Sequence, residues 1–214
     1  MQRTLTFILL FLASHLIGQT DRPALQFSLN TLGMGAELKP FAKDFGAASV
    51  QTFAGPAIGL LLPKQNGEYT ALELSGFLSD ENIGNFQQKN SIIALRYEKG
   101  FYLPTKKADN PLRLRLGGLL KFAYGYQELD PLTSQVFRRT YHRHTLVLSL
   151  TPHFEYRAGK RLFFDIGPTI GLLAFGFEQS RVENPAFTKN QQERNGFALE
   201  AGGFMLRLGI GVRI

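Results

Sequence analysis

Apolar and polar residues alternate most regularly over the last eleven positions of the chain. One parity is apolar and consists of Phe204, Leu206, Leu208, Ile210, Val212 and Ile214. The other parity is mostly small or charged and consists of Met205, Arg207, Gly209, Gly211 and Arg213. Because successive side chains of a β-strand point to opposite faces, this segment is predicted to be a strand with one apolar and one polar face.

Alternating or β-rich character recurs in eight segments, which are 25–37, 49–62, 69–79, 90–103, 112–127, 143–157, 162–178 and 196–214. The connections at 38–48, 80–89, 128–142 and 179–195 are long, whereas those at 63–68, 104–111 and 158–161 are short. Long loops at one end and short turns at the other are typical of transmembrane β-barrels. The predicted fold is all-β, an eight-stranded antiparallel transmembrane β-barrel, with ten strands as an alternative. A soluble β-sandwich or lipocalin-like barrel is the competing fold, and it gives no reason for this alternation.

Charged residues in the middle of these strands indicate which face is the lumen. Arginine or lysine at the lipid midplane costs roughly 2–4 kcal/mol, so mid-strand charges are predicted to point inward. The predicted lumen charges are Glu73, Arg96, Glu98, Arg113, Arg115, Lys121, Glu155, Asp165 and Arg207. An eight-stranded barrel is just wide enough for side chains to fill it. The set therefore predicts a network of paired charges that plugs the lumen, with a narrow gated conduit as the alternative.

The first eighteen residues have the composition of an export signal. Arg3 supplies the positive start, residues 5–12 are mostly apolar, and Gly18 is a small residue before the predicted cleavage site. The apolar run is too short to cross roughly 30 Å of bilayer as a helix. We therefore predict a signal peptide at 1–18 and one barrel domain at 19–214. The sequence contains no cysteine, which excludes disulfides and a cysteine-linked lipid anchor.

The charge composition indicates which kind of acidic partner the protein can bind. The net charge is +7 and the isoelectric point is near 9.7, but the basic residues do not form one continuous stripe. Export also removes the usual nucleic-acid partners, so no nucleic acid is predicted to bind. The phosphates of membrane lipids are the expected acidic partner.

With its export signal, its eight alternating strands, its long and short connections and the final FMLRLGIGVRI, the chain resembles the small bacterial outer-membrane β-barrel superfamily. The resemblance is to the OmpA transmembrane-domain and OmpX type of the porin family. It implies an integral protein of the Gram-negative cell envelope with periplasmic termini. It also implies insertion by the barrel-assembly machinery, contact with lipopolysaccharide, and a structural or surface-interaction role through extracellular loops. A narrow porin-like channel and a lipid-modifying enzyme are the alternative functions.

A basic cluster lies in the third long connection and at the start of the sixth strand. It consists of Arg138, Arg139, His142, Arg143 and His144. Guanidinium groups bind phosphate oxygens bidentately, so this cluster is a candidate contact for lipid or polysaccharide, and a solvated basic loop is the alternative.

Catalytic and metal chemistry have weaker support in the sequence. Ser149, His153 and Glu155 share one face of a strand, but residues four apart on a strand are roughly 13 Å apart, too far for a hydrogen bond. His142 and His144 have no carboxylate close in sequence to complete a metal site. No catalytic residue, metal ligand or cofactor is predicted, and the protein is predicted not to be an enzyme.

Overall fold

A computed structural model describes residues 23–30, 34–35, 55–104, 110–133, 137–201 and 203–214. These residues form a closed, eight-stranded antiparallel β-barrel, which confirms the predicted fold class. The predicted signal peptide at 1–18 and the predicted connection at 38–48 lie outside the described residues.

The barrel wall is built from ten β-segments in chain order. They are β1 (Ala24–Asn30), β2 (Met34–Gly35), β3 (Gly55–Pro63), β4 (Glu68–Ile83), β5 (Phe86–Tyr102), β6 (Leu112–Pro131), β7 (Arg139–Arg157), β8 (Leu162–Val182), β9 (Glu193–Ala201) and β10 (Gly203–Arg213). A one-turn helix, α1 (Lys189–Gln192), precedes β9. None of the helices in the described ranges has the length and apolar character needed to span a membrane.

The first and last strands close the barrel on each other. β10 pairs with β1 from Ala24↔Arg213 to Asn30↔Arg207, and β2 continues along β10 at Met34↔Phe204. β9 and β10 both pair with β8, so together they form the eighth strand of the wall. Pro23, Ile214 and the last residues of β3, β5 and β7 lie at one end, which we call the terminal end; the opposite end is the distal end.

The ladder between β7 and β8 carries the main irregularities of the wall. Its register shifts between Leu148 and Ser149, and no pairs are formed between Leu150 and Phe154. Pro152 lies in that gap, as does Pro168 on the facing strand. Proline has no backbone N–H to donate, which accounts for the interruption of the ladder.

The distal connections differ from the prediction because the strands continue beyond the apolar part of the wall. The predicted loop at 80–89 is wrong: β4 and β5 run on to a two-residue turn at Gly84 and Asn85, with Gly84 at a φ of 58°. Likewise, much of 128–142 and 179–195 is strand. These segments carry few apolar residues on the outer face, so they lack the alternation by which a strand is predicted; on the inner face Leu129 and Tyr141 pack with Phe86.

Side chains alternate between the two faces of the wall along each strand. On β6, Leu120 and Phe122 are 45% and 49% exposed, whereas Arg115 and Leu119 are buried. Many of the large exposed residues are apolar, and many of the buried ones are charged or polar. The barrel therefore has an apolar outer surface and a polar interior.

Candidate functional site

The inward positions of β4, β5, β6, β7, β8 and β10 bring charged side chains together inside the barrel. Of the nine predicted lumen charges, those that are buried are Glu73, Arg96, Glu98, Arg115, Glu155, Asp165 and Arg207. The two others, Arg113 and Lys121, are half-buried on the same face.

Glu73 on β4 joins strands from both sides of the closure. Arg96 Nη1 donates to Glu73 Oε1 at 3.0 Å. Arg207 donates to Glu73 Oε2 through Nη2 at 2.7 Å and Nε at 3.0 Å. The Ser28 hydroxyl donates to the same oxygen at 2.7 Å. These hydrogen bonds occupy lone pairs of both carboxylate oxygens, and so they compensate for the hydration that the buried charge has lost.

Asp165 on β8 is the second shared acceptor. Arg115 Nη2 donates to Asp165 Oδ1 at 2.8 Å, and Arg207 Nη1 donates to Oδ2. Arg207 therefore links Glu73 and Asp165, and the network spans the lumen from β4 to β8.

His153 lies between two carboxylates in the same network. Its Nε2 is 3.1 Å from Glu98 Oε1, and its Nδ1 is 3.2 Å from Asp165 Oδ2. The Tyr69 hydroxyl also donates to Glu98 Oε1, at 2.5 Å. The sequence prediction did not include His153 and Tyr69 in the lumen network. Their inward parity beside charged neighbours was the signal that could have identified them.

A small cavity lies within the charged network. A cavity of about 10 Å³ is lined by Gln26, Ala71, Glu73, Arg96, Glu98, Arg115 and Arg207. That volume is about what one water molecule requires. Nε2 of Gln26 has no described hydrogen-bond partner, so it is a suitable donor to such a water.

Towards the terminal end, the lumen contains an apolar cluster. It consists of Ala24, Leu61, Tyr69 and Phe163, with Ala71 and Tyr102 packed against it. Glycines make room for the rings: a Cβ at Gly211 would overlap the Phe163 ring, and one at Gly117 would overlap the Tyr69 hydroxyl. Arg115 lies over the Tyr69 ring at 4.9 Å, which joins this cluster to the charged network.

The basic cluster predicted from sequence is divided between the two faces of the distal wall. Arg139 and Arg143 are on the inward parity: Arg139 lies over the Phe86 ring at 5.7 Å, and Arg143 Nη2 is 2.5 Å from Glu178 Oε2. Arg138, on the outward parity, pairs with Glu128 and, at 3.0 Å, with Asp130.

The two histidines of the cluster face outward among aromatic rings. His142 is 5.0 Å from the ring of Tyr126, and its Nδ1 is 2.8 Å from the Tyr124 hydroxyl. His144 lies 5.1 Å from Tyr124 and 6.3 Å from Phe177. The described residues contain no group of three or more side chains suited to hold a metal ion.

No protein-family model and no curated protein sequence matches the chain. A major outer membrane protein from Thermus thermophilus matches with a TM-score of 0.59 and 9% identity, over 92% of this chain and 100% of that chain. The outer membrane protease OmpT from Escherichia coli matches with a TM-score of 0.50 and 6% identity, over 91% and 94%. Ail, the attachment invasion locus protein of Yersinia pestis, has a TM-score of 0.48 and 10% identity, over 92% and 100%.

At 9% and 6% identity the likeness to the first two proteins is one of fold alone, and it agrees with the closed antiparallel barrel. The chain therefore has the closed β-barrel fold that these outer-membrane proteins share.

Proposed function

We propose that the protein is an integral outer-membrane β-barrel with a structural or surface-interaction role and a lumen plugged by paired charges. Its termini lie in the periplasm, and its distal end faces the outside and contacts any extracellular ligand. The barrel-assembly machinery inserts it, and lipopolysaccharide surrounds the outer half of its wall.

One observation carries the proposal: each of the eight strands exposes a large apolar side chain on the outer wall. The members of this belt are Phe27, Ile58, Leu74, Leu95, Leu120, Leu148, Ile166 and Leu208, each between 40% and 50% exposed. Soluble monomers rarely expose contiguous apolar patches larger than a few hundred Å². A belt that surrounds the barrel, together with charges buried inside it, is the arrangement expected of a wall in contact with lipid.

The paired charges across the lumen favour a plug over a channel. Arg207 joins Glu73 and Asp165 across the interior, and the cavity beside them holds about 10 Å³. A path for solutes would require these ion pairs to separate inside a medium of low dielectric, where separation is expensive.

A catalytic role has less support. The likeness to a protease is one of fold at 6% identity, and it transfers no activity. His153 is flanked by carboxylates, as a catalytic base often is, but it is 1% exposed inside the lumen and a substrate does not reach it there. We therefore propose that the protein is not an enzyme.

The test is gel migration of the membrane-fraction protein, boiled against unboiled, for the native chain and two variants. Leu148→Arg places a charge in the belt, where it costs roughly 2–4 kcal/mol, and should abolish the faster unboiled band of a folded barrel. Gln179→Arg adds the same charge to the exposed distal wall and should keep that band. A native chain in the soluble periplasmic fraction, without a band shift, would overturn the proposal in favour of a soluble β protein.

A further inference from the structure

Three partly exposed arginines lie near a single buried acid at the terminal end of the lumen. Nε of Arg157 is 3.3 Å and Nη2 of Arg213 is 2.8 Å from Oε1 of Glu155. Arg113 is the cross-strand partner of Glu155, and its guanidinium lies 5.7 Å from the centre of the Tyr102 ring. Within the described ranges, Arg113 forms no ion pair with a carboxylate. We call Arg113, Arg157 and Arg213 the terminal arginine cluster.

The terminal arginine cluster differs from the deeper network in its charge balance. Deeper in the lumen, acids and arginines are equal in number: Glu73, Glu98 and Asp165 face Arg96, Arg115 and Arg207. At the terminal end, Glu155 is the one buried acid among the described residues, and it is also 3.7 Å from Arg115. The positive charge of the cluster therefore exceeds the negative charge beside it.

Such an excess is unfavourable where water is partly excluded. Arg157 and Arg213 both contact Oε1 of Glu155, and Arg113 lies opposite Glu155 on the adjacent strand, so three positive charges share one carboxylate's surroundings. Like charges repel more strongly as the surrounding dielectric falls, and partly buried guanidinium groups lose hydration. An anion that entered the cluster would relieve both effects.

The cluster is also accessible and has suitable chemistry. The side chains of Arg157 and Arg213 are 20% and 21% exposed, whereas Glu155 is fully buried behind them. A guanidinium presents a rigid fork of donors that matches the oxygens of phosphate bidentately. Lys160 and Arg161 in the neighbouring connection are exposed and extend the positive surface towards solvent.

We propose that the terminal arginine cluster is a binding site for a phosphate-class oxyanion. Arg157 and Arg213 hold its oxygens, and Arg113 balances the remaining charge from its position over Tyr102. The phosphate comes either from a free ion in the compartment or from the headgroup of a lipid in the adjacent leaflet. The site requires the barrel to be folded, but it does not depend on the role of the distal end.

The first arm of the test measures inorganic phosphate. The full-length barrel in a maltoside detergent, which contains no phosphate, is titrated with phosphate at constant ionic strength, and binding is followed by phosphorus NMR. We expect saturable binding that weakens at least tenfold in the double variant Arg113→Gln/Arg157→Gln. The matched control, Arg181→Gln, removes an exposed arginine from the distal wall and should leave the affinity unchanged.

The second arm distinguishes the source of the phosphate. The barrel is placed in mixed micelles with phosphatidic acid or with a neutral galactolipid of the same acyl chains, and bound lipid is quantified after purification. Enrichment of phosphatidic acid that disappears in the double variant assigns the site to a headgroup. Saturation by inorganic phosphate without such enrichment assigns it to a free ion.

A substitution of Glu155 should strengthen phosphate binding, because the Glu155 carboxylate competes with the ligand for the same guanidinium groups. Glu155→Gln should bind inorganic phosphate more tightly than the native chain. If Glu155→Gln does not fold, the single variant Arg113→Gln replaces it, and it should bind inorganic phosphate more weakly than the native chain. This variant should fold, because Arg113 has no ion pair to lose among the described residues. Absence of saturable binding of either probe, or equal binding by the native chain, the double variant and Arg181→Gln, would overturn the proposal.

Discussion

Two ion pairs of equal length lie in opposite environments of this barrel. Arg96 and Glu73 are 3.0 Å apart in the lumen, with side chains 4% and 7% exposed. Lys89 and Asp130 are also 3.0 Å apart, but on the distal outer wall, with side chains 44% and 28% exposed. The distance therefore does not determine how much each ion pair contributes to the stability of the barrel. The burial of the two side chains does.

The two ion pairs differ in how much stability is lost when one partner is removed. A surface pair is screened by water and salt and contributes about 0–1 kcal/mol. Removing one partner of a buried pair leaves a charge without solvent, which costs about 3–5 kcal/mol. The lumen network should thus govern whether the barrel folds, whereas the distal pairs should be dispensable.

The largest effect is expected for Arg207→Met, because Arg207 neutralises both Glu73 and Asp165. The free energy of unfolding should fall by about 3–5 kcal/mol. It is measured by urea unfolding in detergent, with the heat-modifiable gel band as the probe of the folded fraction. The chain has no tryptophan, so tryptophan fluorescence is not a probe.

The matched control for that prediction removes a stranded acid as well. Arg207→Met/Glu73→Gln should be more stable than Arg207→Met alone, because the second change restores equal numbers of acids and arginines in the lumen network, although Arg96 loses its partner Glu73. If Arg207→Met alone lowers the free energy of unfolding by less than about 1 kcal/mol, the ion pairs of the lumen behave like surface pairs, which contradicts the prediction.

An intermediate effect is expected for Gly117→Ala, which tests how tightly the lumen is packed. The new Cβ would overlap the Tyr69 hydroxyl and lie 2.7 Å from Glu98 Oε1. Overpacking of this kind costs about 1–3 kcal/mol, measured in the same urea experiment. Gly118→Ala is the control, because its Cβ would meet nothing within 4 Å. Equal stability of the two variants would contradict a tightly packed lumen.

The smallest effect is expected for Lys89→Ala on the distal wall. Loss of its pair with Asp130 should change the free energy of unfolding by about 0–1 kcal/mol. Raising the salt concentration should reduce even that difference, because exposed charges are screened. A loss comparable with that of Arg207→Met would remove the distinction between the two regions.

The sequence predicts which face of the barrel wall a side chain occupies better than it predicts which residues form ion pairs. Parity together with the cost of charge in lipid is enough to place Arg115 and Arg207 on the inward face. It does not predict that Arg207 pairs with Glu73, 134 positions away, because the closure and register of the barrel decide which residues meet. Parity also places His153 on the inward face, but it does not predict that the ring lies between Glu98 and Asp165.

The distal end was predicted least well, and for two physical reasons. Strands that extend into water need no apolar face, so the polar hairpin at 80–89 resembles a loop in sequence. In addition, residues next to each other on a strand point to opposite faces. Arg138 and Arg139 are adjacent in sequence and therefore lie on opposite sides of the wall.

The proposal that paired charges plug the lumen is tested most directly by current recording in planar bilayers. A chain in which Glu73, Arg96 and Arg207 are all replaced by serine, once shown to be folded by its gel shift, serves as the opened control and should conduct. The native chain should then produce no conductance steps at any voltage. Regular steps from the native chain, equal to those of the opened control, would contradict a lumen closed by its paired charges.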